Sequence, residues 1–508
     1  MGARTQHAPM NKALQRRLPF VLLALVTCVT TVSFYPWNAD AGFAVNDALW
    51  YAHAAETDGR ASINGHHPLF HLILLPVTQL LRASGVEHPG HMAVRFVAGF
   101  SLSAVILLCG ALAGWRRRAL APLLLLLVTR CVFIETAVGE SLALSAATIL
   151  FALRLASDAS ASLLRVGIAT SLALLARQDA ILIVPGILLA LQVRTPAAQR
   201  SIKRLMIWLS ATGVVTLMLY LALWRLSGTL EFTTFLFRIA QEEGRAWAQP
   251  EFPGVQEIAF RFATLGAAVT GVQGHFAAFS LNIAIGISWV ALLFVVTRCA
   301  GGDRAPSPLR SGFGAILLVH FCFYTWFEPQ NFEWWFVDMV LLVALCCAGL
   351  RNPRHAVRII ALALTTLGIA GVLSAHGPST CTLRNTSLAR AAAVAAEWSH
   401  DAKGPVVLSY GYRAHTALHL LRVPHDAELL REPPEAEEAG RRLQHALPTT
   451  GKPLVVLLDR FVGDGQPAQY SLTLDYLAHW LDEIPPIPPG RVWKQNGKSQ
   501  VLWLEVPK

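Results

Sequence analysis

Residues 46–71 read NDALWYAHAAETDGRASINGHHPLFH. The stretch sets Asp47, His53, Glu56, Asp58, His66, His67 and His71 directly after a long apolar segment, and its last residues open another, PLFHLILLPVTQLL at 68–81. Titratable side chains are costly beside a bilayer. A cluster of them between apolar runs is a functional site by default. The rest of the chain has to say how many spans surround the cluster and what it acts on.

A soluble protein of this size would carry roughly a quarter charged residues. This chain of 508 residues is 15% charged and 54% hydrophobic, with a mean hydropathy of +0.46. Repeated apolar runs of roughly 17–22 residues then read as a polytopic α-helical membrane protein. The net charge of +10 does not point to nucleic acid. The basic residues fall largely between apolar runs, where positive charge sets orientation. Of the eight cysteines, Cys28, Cys109, Cys131, Cys322, Cys346 and Cys347 lie inside apolar segments and Cys381 stands alone in the less apolar C-terminal part. No CxxC pair occurs, so neither a disulfide framework nor a cysteine zinc site is indicated.

Charge orients the spans. Arg4, Lys12, Arg16 and Arg17 precede the first apolar run, 18–37, which reads as a retained anchor and keeps the N-terminus cytoplasmic. The loop 38–91 is then external. Within it, 68–82 is short for a span; if it crossed, Trp115-Arg116-Arg117-Arg118 would be delivered outside. That segment reads instead as an interfacial or re-entrant helix over the site. The later spans are expected near 92–114, 119–135, 138–156, 162–176, 180–193, 205–226, 276–298, 311–327, 335–350 and 358–375. The count is about eleven, with every strongly basic connection inside and a long external loop at 227–275. From 376 to 508 the composition changes. Val406–Ser409 and Leu454–Leu458 read as buried strands, 436–446 and 471–484 as amphipathic helices, and the end as a hairpin around Asn496-Gly497. This predicts a small external α/β domain behind a transmembrane module of residues 1–375.

Several residues could carry chemistry on the external face. Asp47 lies just beyond the first span, where partial desolvation suits a carboxylate to accept a proton from a hydroxyl; a solvated loop residue or a helix N-cap is the plainer alternative. His66-His67-Pro68 forms a rigid turn that could bind a divalent metal with Asp47, contact a phosphate, or simply be a hydrogen-bonded turn. Glu140 opens the span at 138–156, and Arg177-Gln178-Asp179 joins two spans on the same side. A guanidinium there matches a phosphate with two parallel bonds, and equally well pairs with an internal carboxylate to hold helix ends. Glu333, in EPQNFEWWF at 328–336, stands among belt aromatics with little structural reason to be there. There is no P-loop, GxSxG or HExxH, so nucleotide hydrolysis and serine or zinc peptidase chemistry lack their marks.

In order, these features resemble the GT-C superfamily of membrane glycosyltransferases, which includes protein O-mannosyltransferases, aminoarabinose transferases and arabinofuranosyltransferases. The resemblance rests on Asp47, Gly59 and His67-Pro68-Leu69 in the first external loop, on Gly139-Glu140 at an outer helix start, and on Arg177-Gln178-Asp179-Ala180 at an outer junction. It departs from the family where no residue separates Gly139 from Glu140, where Ala180 replaces glycine, and where Trp334 stands in a slot often held by arginine. The resemblance implies transfer of a sugar from a polyprenyl-phosphate donor to an acceptor hydroxyl on a glycan, lipid or protein, with inversion, at the outer face of a bacterial inner membrane. It implies Asp47 as base, Arg177 with Arg245 or His275 on the departing phosphate, His66 and His67 near that phosphate, and Glu140, Asp179 and Glu333 in support. No metal ligand set is assigned. A transporter or lipid-sugar flippase, with charges lining a path, is the rival from another class, and a non-catalytic scaffold is a third.

Overall fold

The computed structural model describes residues 12–33, 51–52, 54–57, 59–86, 89–127, 129, 131–132, 141–195, 201–233, 235–236, 254–270, 280–289, 291, 308–327 and 334–349, and five strands at 406–410, 429–430, 454–458, 493–495 and 501–504. The helices are α1 (Lys12–Ser33), α2 (Pro68–Ala83), α3 (Pro89–Leu112), α4 (Leu120–Leu127), α5 (Leu142–Ser157), α6 (Leu163–Ala176), α7 (Val184–Arg194), α8 (Ile202–Ser227), α9 (Val255–Thr270), α10 (Ser280–Trp289), α11 (Pro308–Phe327) and α12 (Trp335–Gly349). Three of them, at 13–32, 89–112 and 202–227, are long and apolar enough to cross a membrane by length and composition.

A helix that is apolar all round must be buried on every side. Apart from Asp338, the sequence WFVDMVLLVALCCAG makes α12 such a helix. Phe336, Met339, Val340, Leu341, Val343 and Ala344 are fully buried there, with α3, α4, α5 and α11 around them. Small residues let neighbours approach closely. Where α7 meets α11, a Cβ on Gly186 would stand 2.6 Å from the Gly312 carbonyl oxygen, so glycine is needed for that crossing. The opposite pattern holds at the rim. Val21, Leu22, Leu25, Val26 and Val29 of α1 and Met206, Ile207, Val214, Leu217 and Met218 of α8 point outward and are exposed. Such faces are a liability in water and the natural surface in lipid.

The readings at 68–82 and 335–350 coincide with α2 and α12. Two others shift. The span expected at 180–193 begins with a 3-10 turn, Gln178–Ile183, because Arg177 leaves α6 in an extended conformation (φ −155°, ψ 140°); the α-helix starts only at Val184, with a proline in its first turn. Within the segment read as a long loop, Val255–Thr270 forms α9, packed on α11 and α12. Glu257 and Arg261 interrupt its apolar run and hide it from a hydropathy reading.

The five strands form one sheet in the order β2-β1-β3-β5-β4, with β1 (Val406–Tyr410), β2 (Leu429–Leu430), β3 (Leu454–Leu458), β4 (Trp493–Gln495) and β5 (Val501–Leu504). β1 runs parallel to β2 and β3; β5 runs antiparallel to β3 and β4. The segments expected at 358–375, 436–446 and 471–484 lie outside the described residues.

Candidate functional site

The turn before α2 is built by Asn64. Its Oδ1 accepts the backbone N–H groups of His66 (3.0 Å) and His67 (3.1 Å), while its Nδ2 meets His71 Nε2 at 3.2 Å. This fixes the two histidines just ahead of Pro68, whose missing N–H costs nothing at a helix start. Gly65 donates its N–H to the Phe235 carbonyl at 2.8 Å. A Cβ on Gly65 would lie 2.5 Å from that oxygen, so only glycine lets the 235–236 backbone come so close.

Gln178 fastens three chain segments at this point. Its Nε2 donates to the carbonyls of Gly65 (2.8 Å) and Leu236 (3.0 Å), its backbone N–H to the His66 carbonyl (3.3 Å), and its Oε1 lies 3.5 Å from His66 Nδ1. The residue between the span and Asp179 is therefore the staple that brings the first loop to the Arg177 junction.

Arg177 is 5% exposed. Its Nε donates to both oxygens of Asp179, at 3.0 and 3.2 Å, and its Nη1 to Ser141 Oγ at 3.4 Å, at the start of α5. No described residue hydrogen-bonds its Nη2. The guanidinium carbon lies 4.9 Å from the centre of the Trp334 ring, a cation–π contact. Trp334 in turn stacks on Tyr324, 4.8 Å between centres and 10° between planes, and the Tyr324 hydroxyl donates to Asp179 Oδ2 at 2.8 Å. The ring of contacts closes: Arg177, Asp179, Tyr324 and Trp334 each hold two of the others.

The electrostatics follow. Burial works against the Arg177 charge, but Asp179, together with Tyr324 and Tyr51, more than offsets it and keeps the guanidinium protonated. Burial alone would raise the Asp179 carboxyl; Arg177 overrides it and holds the acid below its usual range. Burial, with Arg177 adding to it, lowers His66 to about 4, and His67 falls well below its ordinary value for the same first cause, with His66 the next. Both imidazoles are neutral at physiological pH, beside a fixed cation. From the described residues, such a corner offers an anion one charged fork and neutral hydrogen-bonding rings.

Of the residues singled out in the sequence, the structure brings together Arg177, Asp179, His66 and, behind His66 with ring centres 4.1 Å apart, His67. Asp47, Glu140, Arg245, His275 and Glu333 lie outside the described residues. Among the described residues no group of three or more His, Cys, Asp or Glu side chains is arranged to hold a metal ion. Asn64, Ser141 and Tyr324 escaped the sequence reading. Nothing in a lone Asn or Ser announces its role. Glu56, from the same polar loop, plays a structural part. Its Oε1 accepts the Gly90 N–H at 2.7 Å and caps the start of α3.

No protein-family model matches the sequence, and no curated protein sequence does. Solved structures do match in shape. ArnT from Cupriavidus metallidurans bound to undecaprenyl phosphate superposes with a TM-score of 0.59 at 13% identity, covering 97% of this chain and 98% of that one. The apo form of the same protein gives 0.58 at 14% identity with the same coverage. The chain has the fold of those structures. The likeness runs over nearly the whole of both chains. It is the architecture of an integral membrane protein, and it agrees with the apolar rim of α1 and α8.

Proposed function

We propose that this protein is a glycosyltransferase that moves a sugar from a polyprenyl-phosphate carrier to an acceptor hydroxyl at the external face of the membrane. The observation that carries the reading is Arg177: a buried, permanently charged fork at a junction of four segments, with one nitrogen left over, in a fold whose solved example was bound to undecaprenyl phosphate. A guanidinium held by Asp179 and Trp334 keeps its orientation, and a fixed cation stabilises a leaving phosphate without reorganising as charge develops. Arg245 or His275 would supply further positive or hydrogen-bonding groups to that phosphate. His66 and His67 would border it as neutral donors, and Glu140, Asp179 and Glu333 would hold the cations in place.

Asp47 is the proposed general base. It would take the proton from the acceptor hydroxyl as the oxygen attacks the anomeric carbon and the carrier phosphate departs, inverting that carbon. Residues 376–508 are proposed to form an external α/β domain around the mixed sheet, and the N-terminus to lie in the cytoplasm of a bacterial cell. A mass-spectrometric comparison of surface glycans and envelope lipids with and without the protein tests the reading. A hexose or pentose increment that vanishes with the protein and with Arg177→Lys supports it. Unchanged glycans and lipids in both strains would refute it.

A further inference from the structure

A second charged cluster lies inside the helical module, beneath the first. Arg261 of α9, Asp338 of α12 and His320 of α11 are 0%, 1% and 2% exposed. Arg261 Nη2 donates to Asp338 Oδ2 at 3.2 Å, and His320 Nδ1 lies 2.7 Å from Asp338 Oδ1. Burying three such groups costs more than an apolar packing of the same volume. Their arrangement is also incomplete as a purely stabilising network: Arg261 Nε and Nη1 and His320 Nε2 have no partner among the described residues.

The cluster meets the candidate site at Tyr324. The Arg261 guanidinium lies 3.9 Å from the Trp335 ring centre on one side and 5.3 Å from that of Tyr324 on the other. His320 meets Tyr324 edge-on at 5.5 Å. Tyr324 carries Trp334, and Trp334 carries Arg177. Two cations and three aromatic rings thus line up along one ladder, Arg177–Trp334–Tyr324–Arg261–Trp335. Displacing Arg261 removes the support behind the Tyr324 ring, and Tyr324 is what both stacks on Trp334 and bonds Asp179.

We propose that Arg261, Asp338 and His320 are positioning residues that fix the Arg177 guanidinium through Tyr324. The proposal rests on the reading of Arg177 as the phosphate-binding cation. It explains why a charge pair is retained in the core: Asp338 locks Arg261, and Arg261 with His320 locks the ring that orients the site.

The test is equilibrium binding of undecaprenyl phosphate and of undecaprenol to the full-length protein in detergent, read as the ratio of the two affinities. The ratio isolates recognition of the phosphate from loss of folded protein and from tail binding. Arg177→Lys is the control, expected to remove most of the preference; if the preference survives intact, the phosphate reading itself fails and the proposal with it. With that control passed, Asp338→Asn is expected to lower the preference about tenfold, the size of a charge-assisted hydrogen bond lost at the site. Should Asp338→Asn not yield folded protein, His320→Gln, which leaves the Arg261–Asp338 pair in place, is read instead and is expected to lower the ratio in the same direction. Tyr324→Phe should lower it too, and adding Asp338→Asn or His320→Gln to Tyr324→Phe should lower it little further, because the two act on one path. An unchanged ratio in the core variant, or fully multiplicative losses in the double variant, would overturn the proposal and leave the reading of Arg177 standing.

Discussion

The Tyr324 hydroxyl donates a 2.8 Å hydrogen bond to Asp179 from 145 residues further along the chain. The bond ties the C-terminal end of α11 to the junction after α6, and Asp179 passes the constraint on to Arg177 through two contacts of its own. A surface pair of this kind would contribute little, because solvent screens it and both side chains lose rotamer freedom. Here the arginine is enclosed, an aromatic face covers it and the carboxylate has a second donor, so the geometry is held from three sides. Rigidity of that sort serves a cation that must meet a charge as it forms.

Replacing Arg177 by lysine preserves the charge and discards the fork. Lysine can still reach Asp179 but cannot bond the carboxylate, Ser141 and a phosphate in one plane while lying over Trp334. Transfer of sugar from carrier to acceptor is expected to fall about a hundredfold, the scale for loss of one preorganised donor to developing charge. Insertion and melting temperature should change far less than the rate. A rate within twofold of wild type, in membranes with matched protein levels, would assign Arg177 to helix-end pairing alone.

The histidines of the first loop make stability depend on pH in a set direction. His66 titrates near 4 in the folded protein and near its ordinary value of 6.5 when unfolded. Between those values the unfolded chain binds the proton that the folded one refuses, so folding loses stability as pH falls from about 6.5 towards 4 and is at full strength above that window. His67, lowered more strongly, adds to the same slope. Thermal melts of the detergent-solubilised protein at a series of pH values should show the decline, and His66→Asn should make it shallower. A melting temperature that is flat across the window, or rises on acidification, would contradict the burial of these rings.

Gly65→Ala probes the staple between the first loop and Leu236. The added methyl would stand 2.5 Å from the Phe235 carbonyl and 2.8 Å from the Leu236 Cα, both backbone atoms that cannot swing aside. Overpacking of this kind costs about 1–3 kcal/mol, and it would pull away the carbonyls that hold Gln178. The variant is expected to melt several degrees lower and to lose transfer activity with it. Gly213→Ala in α8 is the matched control: its Cβ meets nothing within 4 Å, and alanine favours a helix, so its melting temperature should hold or rise. Equal behaviour of the two variants would show that the loop accommodates the methyl.

How much of this was readable beforehand depends on the kind of signal. α2 and α12 announced themselves by largely apolar runs, and Arg177-Gln178-Asp179 by charge at the edge of one. α9 did not, since Arg261 breaks its pattern, and the partner that neutralises Arg261 lies 77 residues away, out of reach of any local window. Asp338 and His320 were visible as polar residues inside apolar spans, the usual sign of a functional position in a membrane protein, and that sign was strong enough to have flagged them. Tyr324 carried no such mark. A tyrosine near a span end reads as an interfacial anchor, and only the fold shows it between two arginines. Trp334 stood out as a departure from the family pattern, where a cation is common; in the fold it supplies a face to a cation from another segment.

Asp47 is the residue on which the proposed chemistry turns. In the sequence it follows the expected first span, 18–37, by ten residues, and in the proposed reaction an incoming hydroxyl would reach it from outside. Asp47→Asn keeps the shape and the hydrogen-bonding reach of the side chain and cannot take up a proton. A general base contributes roughly 10²–10⁴ in rate, and loss of a loop carboxylate costs little stability. The variant should therefore insert and melt as wild type, bind undecaprenyl phosphate with unchanged preference over undecaprenol, and transfer sugar at about a thousandth of the wild-type rate. Binding and transfer would separate because, in the proposed reaction, the base acts on the acceptor and Arg177 on the carrier. Near-normal transfer would remove Asp47 from the reaction. It would direct attention to Asp40 in the same loop, because Glu56 is already committed to the Gly90 amide at the head of α3.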